Sequence, residues 1–233
     1  MKAIAFTIRL NSLYSIRIPY TWQSALTYPV PPSSAIIGML ANALQRLKNN
    51  QSPLYYLDEV EDNVEWVGAR LLSPAVVKSY TTSAITKWNV EVGGKSTNAL
   101  GREFAFTNTI EVAVAVKKDS FIQELVNALQ NAPITCGDSE SIATIENIES
   151  FLKTDEIKSK KEMKTQFPIP FDPQKTEVIG GFGQLYLVHE RCKKKGKGFP
   201  LVNYLFPLRE EKGVLYPTKF ILRIKQPVSI LEI

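Results

Sequence analysis

Residues 20–44 read YTWQSALTYPVPPSSAIIGMLANAL. An aromatic approach runs through Pro29, Pro31 and Pro32 into apolar positions at helical spacing. Proline fixes φ and holds the preceding residue extended, so a helix is expected to begin just after the prolines. Ser33 or Ser34 can cap it. Ile36, Ile37, Leu40, Leu44 and Leu47 then carry one apolar face to about Lys48, and Asn49-Asn50-Gln51-Ser52-Pro53 ends it. The first amides of such a helix have no internal partner and sit at the positive end of its dipole, which suits a phosphate. Gly38, inside the helix, predicts a close neighbour. A well-capped helix with its aromatics in the core explains the same residues without a ligand.

Working outward, residues 2–10 (KAIAFTIRL) alternate and predict a half-buried strand. Residues 64–72 (VEWVGARLL) predict a second strand closed by Pro74, and residues 104–116 (FAFTNTIEVAVAV) a third. Between them, residues 75–103 are polar, with scattered bases and Gly93-Gly94, and predict a long hairpin or a loop. Asp119 or Ser120 is placed to cap a second helix, with Phe121, Ile122, Leu125, Val126 and Leu129 on one face. Residues 141–152 supply a fourth strand. The order βαββαβ is the ferredoxin-like pattern of an α+β fold, also used by RNA recognition motifs. We therefore expect a domain over residues 1–152, a linker over 153–178, and a smaller β-rich subdomain over 179–233.

Charge is segregated. Up to Leu57 there are five bases (Lys2, Arg9, Arg17, Arg46, Lys48) and no acid, followed by Asp58, Glu59, Glu61, Asp62 and Glu65. From Lys164 onward twelve bases face six acids. Such segregation fits one face for a polyanion and another for a different partner, or solvated charges that happen to cluster. Cys136, Cys192 and the single His189 make no zinc pattern, and no paired-carboxylate metal site is evident, so no metal or cofactor is expected. No apolar run is long enough to span a membrane and no signal peptide is apparent, which points to a cytoplasmic protein.

Several stretches carry candidate chemistry. Tyr14, Tyr20, Trp22 and Tyr28 lie close in sequence and can stack unpaired bases, or fill a core. Lys78, Tyr80, Lys87, Trp88 and Arg102 interleave cations with aromatics across the polar insertion. Gly180, Gly181 and Gly183 permit close backbone approach to a ligand, or a tight turn; a strand follows them, so they form no dinucleotide fingerprint. RCKKKGKG at residues 191–198 puts Arg191, Lys193 and Lys194 in a dense basic loop, suited to phosphate or to solvent. His189 is the one weak catalytic candidate, since it alone titrates near neutrality without a large shift. Nothing suggests a small-molecule substrate.

The first strand followed by a loop into PVPPSSAIIGMLANAL (residues 29–44) closely resembles the N-terminal signature of the Cas five family, the RAMP subunits of CRISPR Cascade complexes. CGDSESIATIENIE (136–149) is similar to the family's second landmark, and the polar insertion matches its "thumb". SIRIPYTWQSALTYPVPP (15–32) looks most like archaeal type I-A members, with type I-D as near neighbour. The resemblance covers two thirds of the chain and weakens from about Lys153. It implies a subunit that binds the 5′ handle of the guide RNA, caps the backbone-subunit filament, and meets the large and small subunits. Handle contact is carried onto Arg17, Tyr20, Pro31, Ser33 and Ser34, thumb contact onto Lys78, Lys87, Trp88 and Arg102, and a further contact onto Gly180, Gly181 and Gly183. One branch, type I-C, cleaves repeat RNA with a tyrosine, lysine and histidine set. No such set is evident here, so the resemblance implies a non-catalytic subunit; the alternative is a metal-independent endoribonuclease.

Overall fold

A computed structural model describes residues 2–21, 24–85, 97–138, 140–153, 162–193 and 198–225. The chain opens with β1 (Lys2–Leu10), a two-residue β2 (Ser24–Ala25), helices α1 (Ser33–Lys48) and α2 (Pro53–Asn63), and β3 (Val64–Leu71). A hairpin of β4 (Ala75–Ile85) and β5 (Thr97–Phe106) precedes β6 (Thr109–Val116), α3 (Asp119–Asn131), β7 (Ile134–Thr135) and β8 (Ile142–Lys153). The remainder is a succession of strands: β9 (Glu162–Thr165), β10 (Ile169–Pro170), β11 (Thr176–Gly180), β12 (Gln184–Val188), β13 (Val202–Phe206), β14 (Leu208–Glu211), β15 (Val214–Pro217) and β16 (Phe220–Ile224). The fold is α+β and rich in strands.

The central sheet has the order β3-β6-β1-β8-β7, with every neighbouring pair antiparallel. Alternation in β1 sends Ile4, Phe6, Ile8 and Leu10 into the core, where the apolar faces of α1 and α3 meet them. The opposite face carries small residues, including Ala3, Ala5, Ala113 and Ala115. Gly68 leaves room there for the Trp66 ring, which lies edge-on to Phe167 at 5.6 Å between centroids.

The structure departs from the sequence expectations at four places. A helix, α2, follows α1 almost at once: Ser52 accepts the Tyr55 amide at 3.4 Å and Pro53 fills the first turn, so the residues expected to end one helix also start another. The expected third strand is two strands. They break at Thr107-Asn108, where the Ser73 hydroxyl accepts the amides of Asn108 (3.1 Å) and Thr109 (3.0 Å). Most of the described part of the expected linker is strand: Met163, Thr165, Phe167 and Ile169 are buried at period two, a signal obscured by the surrounding lysines. Finally, α1 and α3 have Pro32 and Lys118 at their N-cap positions, with no side-chain cap on either.

The C-terminal strands form sheets β10-β13-β12 and β11-β16-β9, while β14 and β15 join the hairpin in a second five-stranded sheet, β14-β15-β4-β5-β2. Met163, Ile169, Phe220 and Leu222 make a small core of their own. Val188, Tyr204, Phe206, Leu208 and Leu215 instead enter the main core, so this region is fused to the rest.

The fusion is sealed electrostatically. Arg191 donates to the carbonyls of Val64 (3.0 Å) and Glu65 (2.7 Å) on the edge of β3 and pairs with Glu61 at 3.5 Å. Glu61, nearly fully buried, accepts the Cys192 amide at 2.5 Å. Lys193 pairs with Asp62 (2.6 Å) and Asp58 (3.7 Å). Arg191→Ala strands a buried carboxylate and two carbonyls. We expect it to lower unfolding free energy by about 1–3 kcal/mol, read from the denaturant midpoint; an unchanged midpoint would show the latch to be dispensable.

Candidate nucleic-acid interface

The β4–β5 hairpin pairs Lys78 with Phe104 and Tyr80 with Arg102. Directly opposite residues, and residues two apart, share a face of a sheet. Lys78, Tyr80, Arg102 and Phe104 therefore stand together. Tyr80 and Phe104 meet edge to face at 5.9 Å, and the Arg102 guanidinium lies 4.7 Å from the Phe104 centroid. Lys78 is exposed and has no ion-pair partner among the described residues. The result is an arrangement of cations and ring faces suited to a phosphate–base repeat.

Arg102 is also anchored. Its Nη2 donates to Asp138 at 2.6 Å and its Nε to the Ser15 hydroxyl at 3.3 Å. A guanidinium has five N–H donors, so three remain for an oxyanion. Asp138 belongs to the turn that enters β8. Gly137 has φ +95°, and a Cβ there would lie 2.7 Å from Ile16 and 3.0 Å from the Ser15 carbonyl. Ser141 donates to the Leu13 carbonyl at 3.0 Å. The CGDSES stretch thus fastens the N-terminal arm and the base of the hairpin to one another.

That arm spans residues 14–28. Its limbs pair through Ile18 N–H to the Leu26 carbonyl (2.8 Å) and Tyr28 N–H to the Ile16 carbonyl (3.0 Å), and β2 lies parallel to β5 at Gly101 and Arg102. Arg17 is exposed, and one of its nitrogens donates to the Thr21 carbonyl at 3.0 Å. Tyr20 sits at the turn with φ 61° and is 87% exposed. Tyr14 and Tyr28 point the other way and are buried. Their hydroxyls donate to the carbonyls of Pro29 (2.5 Å) and Leu187, and burial pushes the Tyr28 phenol to about 12. They are core residues, not stacking platforms.

The helix start is closed. Pro31 and Pro32 are buried. The Ser34 amide donates to the His189 carbonyl at 3.3 Å, and the amides of Ala35 and Ile36 both reach the Pro32 carbonyl. The Ser33 hydroxyl donates to the Val67 carbonyl at 3.0 Å. The chain's own atoms occupy the amides expected to meet a phosphate, and the cleft beside them carries Glu65, Asp172 and Glu190 together with Lys175 and Arg191. The expected neighbour of Gly38 is also missing: a Cβ there would meet nothing within 4 Å.

The remaining candidates are placed elsewhere. At Gly180, Gly181 and Gly183 the space left by the missing side chains is taken by Ile221, the Lys219 carbonyl and Phe220, so close packing within the chain explains them. Arg191 and Lys193 are engaged with α2 rather than held out as a solvated phosphate loop. His189 shares Nδ1 with the Pro200 carbonyl at 3.0 Å. Trp22, Lys87, Trp88 and Lys194 lie outside the described residues. Among the described residues no three side chains of metal-ligating type cluster, and no helix is long and apolar enough to cross a membrane. The sequence reading undervalued Tyr80 and missed Phe104; the alternation Lys78-x-Tyr80 opposite Arg102-x-Phe104 is a signal, once the hairpin register is known.

No curated protein is significantly similar to the chain in sequence. A crystal structure of a CRISPR protein from Archaeoglobus fulgidus superposes with a TM-score of 0.62 at 12% identity, covering 97% of this chain and 93% of that one. A chain of a type III-B Cmr-beta complex, solved bound to cognate target RNA and AMPPnP, gives 0.52 at 11% identity, covering 92% and 86%. These identities establish a shared fold. The family model for CRISPR-associated protein (Cas_Cas5) matches residues 7–177, well over half of the sequence, and the chain belongs to that family.

Proposed function

We propose that this protein is a non-catalytic, cytoplasmic subunit of a CRISPR RNA-guided effector complex, of the type I Cascade class and nearest to archaeal type I-A or I-D. In this reading it holds the 5′ handle of the guide RNA and caps the backbone-subunit filament, in contact with the large and small subunits. The observation that carries the reading is the hairpin face of Lys78, Tyr80, Arg102 and Phe104, with Arg17 and Tyr20 on the adjoining arm. Cations set the position of a single strand through its phosphates, and ring faces hold its bases with little sequence demand. The central sheet read as β1, β3, β6 and β8, with α1 and α3 between them, agrees with the ferredoxin-like arrangement of RNA recognition motifs.

A non-catalytic role agrees with the state of the groups nearest to acid–base chemistry. Burial, then the Glu190 carboxylate, pushes the Tyr204 phenol far above its ordinary value; it stays protonated and donates to Glu190 at 2.5 Å. Such a phenol does not take a proton from a ribose hydroxyl. His189 spends a ring nitrogen on Pro200 and stands beside Phe199, with ring centroids 6.0 Å apart.

Binding of single-stranded handle RNA is expected to weaken steeply with salt, because each neutralised phosphate contributes about −0.7 to the slope of log K against log salt. Lys78→Ala should make that slope shallower by about 0.7, and Tyr80→Ala should lose about 1–3 kcal/mol of binding. Arg191→Ala should leave RNA affinity unchanged. A salt-independent affinity, or equal losses from Lys78→Ala and Arg191→Ala, would refute the assignment of this face. Labelled repeat RNA incubated with the protein in EDTA is expected to stay intact; specific cleavage abolished by His189→Ala would establish an endoribonuclease instead.

A further inference from the structure

The two edges of the central sheet are treated differently. On β3 the carbonyls of Val64, Glu65 and Val67 accept from the Arg191 and Ser33 side chains. Among the described residues, only Ile142 and Ala143 of β8 have an outward strand partner, in the two-residue β7. From Thr144 to Lys153 no described residue pairs with that edge, although β1 pairs along the other side to Lys153. Beside the open edge lies a groove of about 540 Å³, bounded by Leu129 and Gln130 at the end of α3, by Pro133, and by Thr144–Ile148.

The segment that builds this groove carries charge of one sign, although Arg9 of β1 pairs with Glu146 beside it. Residues 119–152 contain six carboxylates (Asp119, Glu124, Asp138, Glu140, Glu146 and Glu149) and no lysine or arginine. Cations reach Glu124, Asp138 and Glu146 only from other segments, as Lys48, Arg102 and Arg9. Glu140 and Glu149 are exposed and pair with no cation among the described residues. The last turn of α3 contains no base, so the negative end of its dipole also faces this region uncompensated.

We propose that the open edge of β8, with its groove, docks an extended, basic segment of a protein partner, which adds a strand to the central sheet. Unpaired N–H and C=O groups along an edge supply the main-chain bonds of such an addition, and alternate side chains supply its selectivity. Lysines or arginines at every second position meet Glu149, and Glu146 beside Arg9, on the face away from the helices, while the residues between them enter the groove at the end of α3. RNA is disfavoured because its phosphates would enter a field of their own sign. A second copy of this chain is disfavoured because pairing edge to edge sets acids against acids, and because the extra residue of β8 near Glu146 interrupts the register. The docking is independent of the RNA reading, since none of the residues assigned to RNA lies on this edge.

Amide hydrogen exchange on the full chain tests this. A short peptide alternating lysine and valine should slow exchange of the amides at residues 144–149 about tenfold or more, since paired amides exchange only on opening. The counterpart alternating glutamate and valine should leave them unchanged, and Glu149→Lys should weaken the effect of the lysine peptide. Equal protection by both peptides, protection by neither, or protection of these amides by single-stranded RNA would overturn the proposal. The peptide pair acts on the unaltered protein, so the outcome does not depend on how a variant folds.

Discussion

The Arg102 guanidinium joins parts of the chain that are far apart in sequence. It stacks on Phe104 within the hairpin, bonds Ser15 in the N-terminal arm, and pairs with Asp138 in the turn that enters β8. A two-stranded hairpin alone is marginal in water. This one is tied at its base by Arg102 and by the Ser73 hydroxyl, and it is flanked in its sheet by β15 and β2. Rigid placement matters for a binding face because any ordering that binding must impose is subtracted from affinity. The pairing with Asp138 offsets part of the positive charge of Arg102, but it fixes the direction in which its remaining donors point.

The distribution of charge takes on a different meaning in three dimensions. The excess of bases toward the C-terminus is spent partly inside the molecule: Arg191 and Lys193 neutralise the acidic helix α2 and close the edge of β3. The hydrogen bond from Lys193 holds the Asp62 carboxyl below its usual range. The acid-free N-terminal segment contributes Arg17 to the arm and Lys48 and Arg9 to ion pairs with α3 and β8. Among the described residues, acid without a cation partner is left at Glu140 in the turn before β8 and at Glu149 on β8, and uncommitted positive charge on the hairpin at Lys78. One surface is therefore suited to a polyanion and another to a polycation, although the sequence order of the charges mixes the two.

Period and punctuation made much of the fold legible. The alternation of Ile4, Phe6, Ile8 and Leu10, the spacing of Ile36, Ile37, Leu40 and Leu44, and the apolar face of α3 each report burial against a neighbour, and burial follows directly from residue type. The closure of the helix start was not legible. It depends on the His189 carbonyl meeting the Ser34 amide across more than half of the chain, and a backbone acceptor leaves no mark on composition. The glycines 180, 181 and 183 were ambiguous for a related reason: a missing side chain states that something comes close, and whether that is a ligand or Phe220 is decided by tertiary packing. The basic loop misled because ion pairs with Asp58, Glu61 and Asp62 join segments remote in sequence. Phe104 was passed over because its partner Lys78 becomes visible only with the strand register.

Why the ring faces stand on the hairpin and not on the central sheet follows from what covers that sheet. A sheet face binds unpaired bases where aromatic side chains project from a backbone left open to solvent. Here the face opposite the helices carries Ala3, Ala5, Ala113 and Ala115, and the Trp66 ring on it packs against Phe167 over Gly68. Arg70, which belongs to the same face, pairs with Glu111 across the strands and lies 5.2 Å from the Phe167 centroid. The segment that follows β9 has therefore taken over the platform as packing surface. Exposed rings are found instead away from that sheet, at Tyr80 on the hairpin and Tyr20 at the turn of the arm. An exposed ring costs the folded chain little when other apolar groups fill the core, and it remains free to stack on an incoming base.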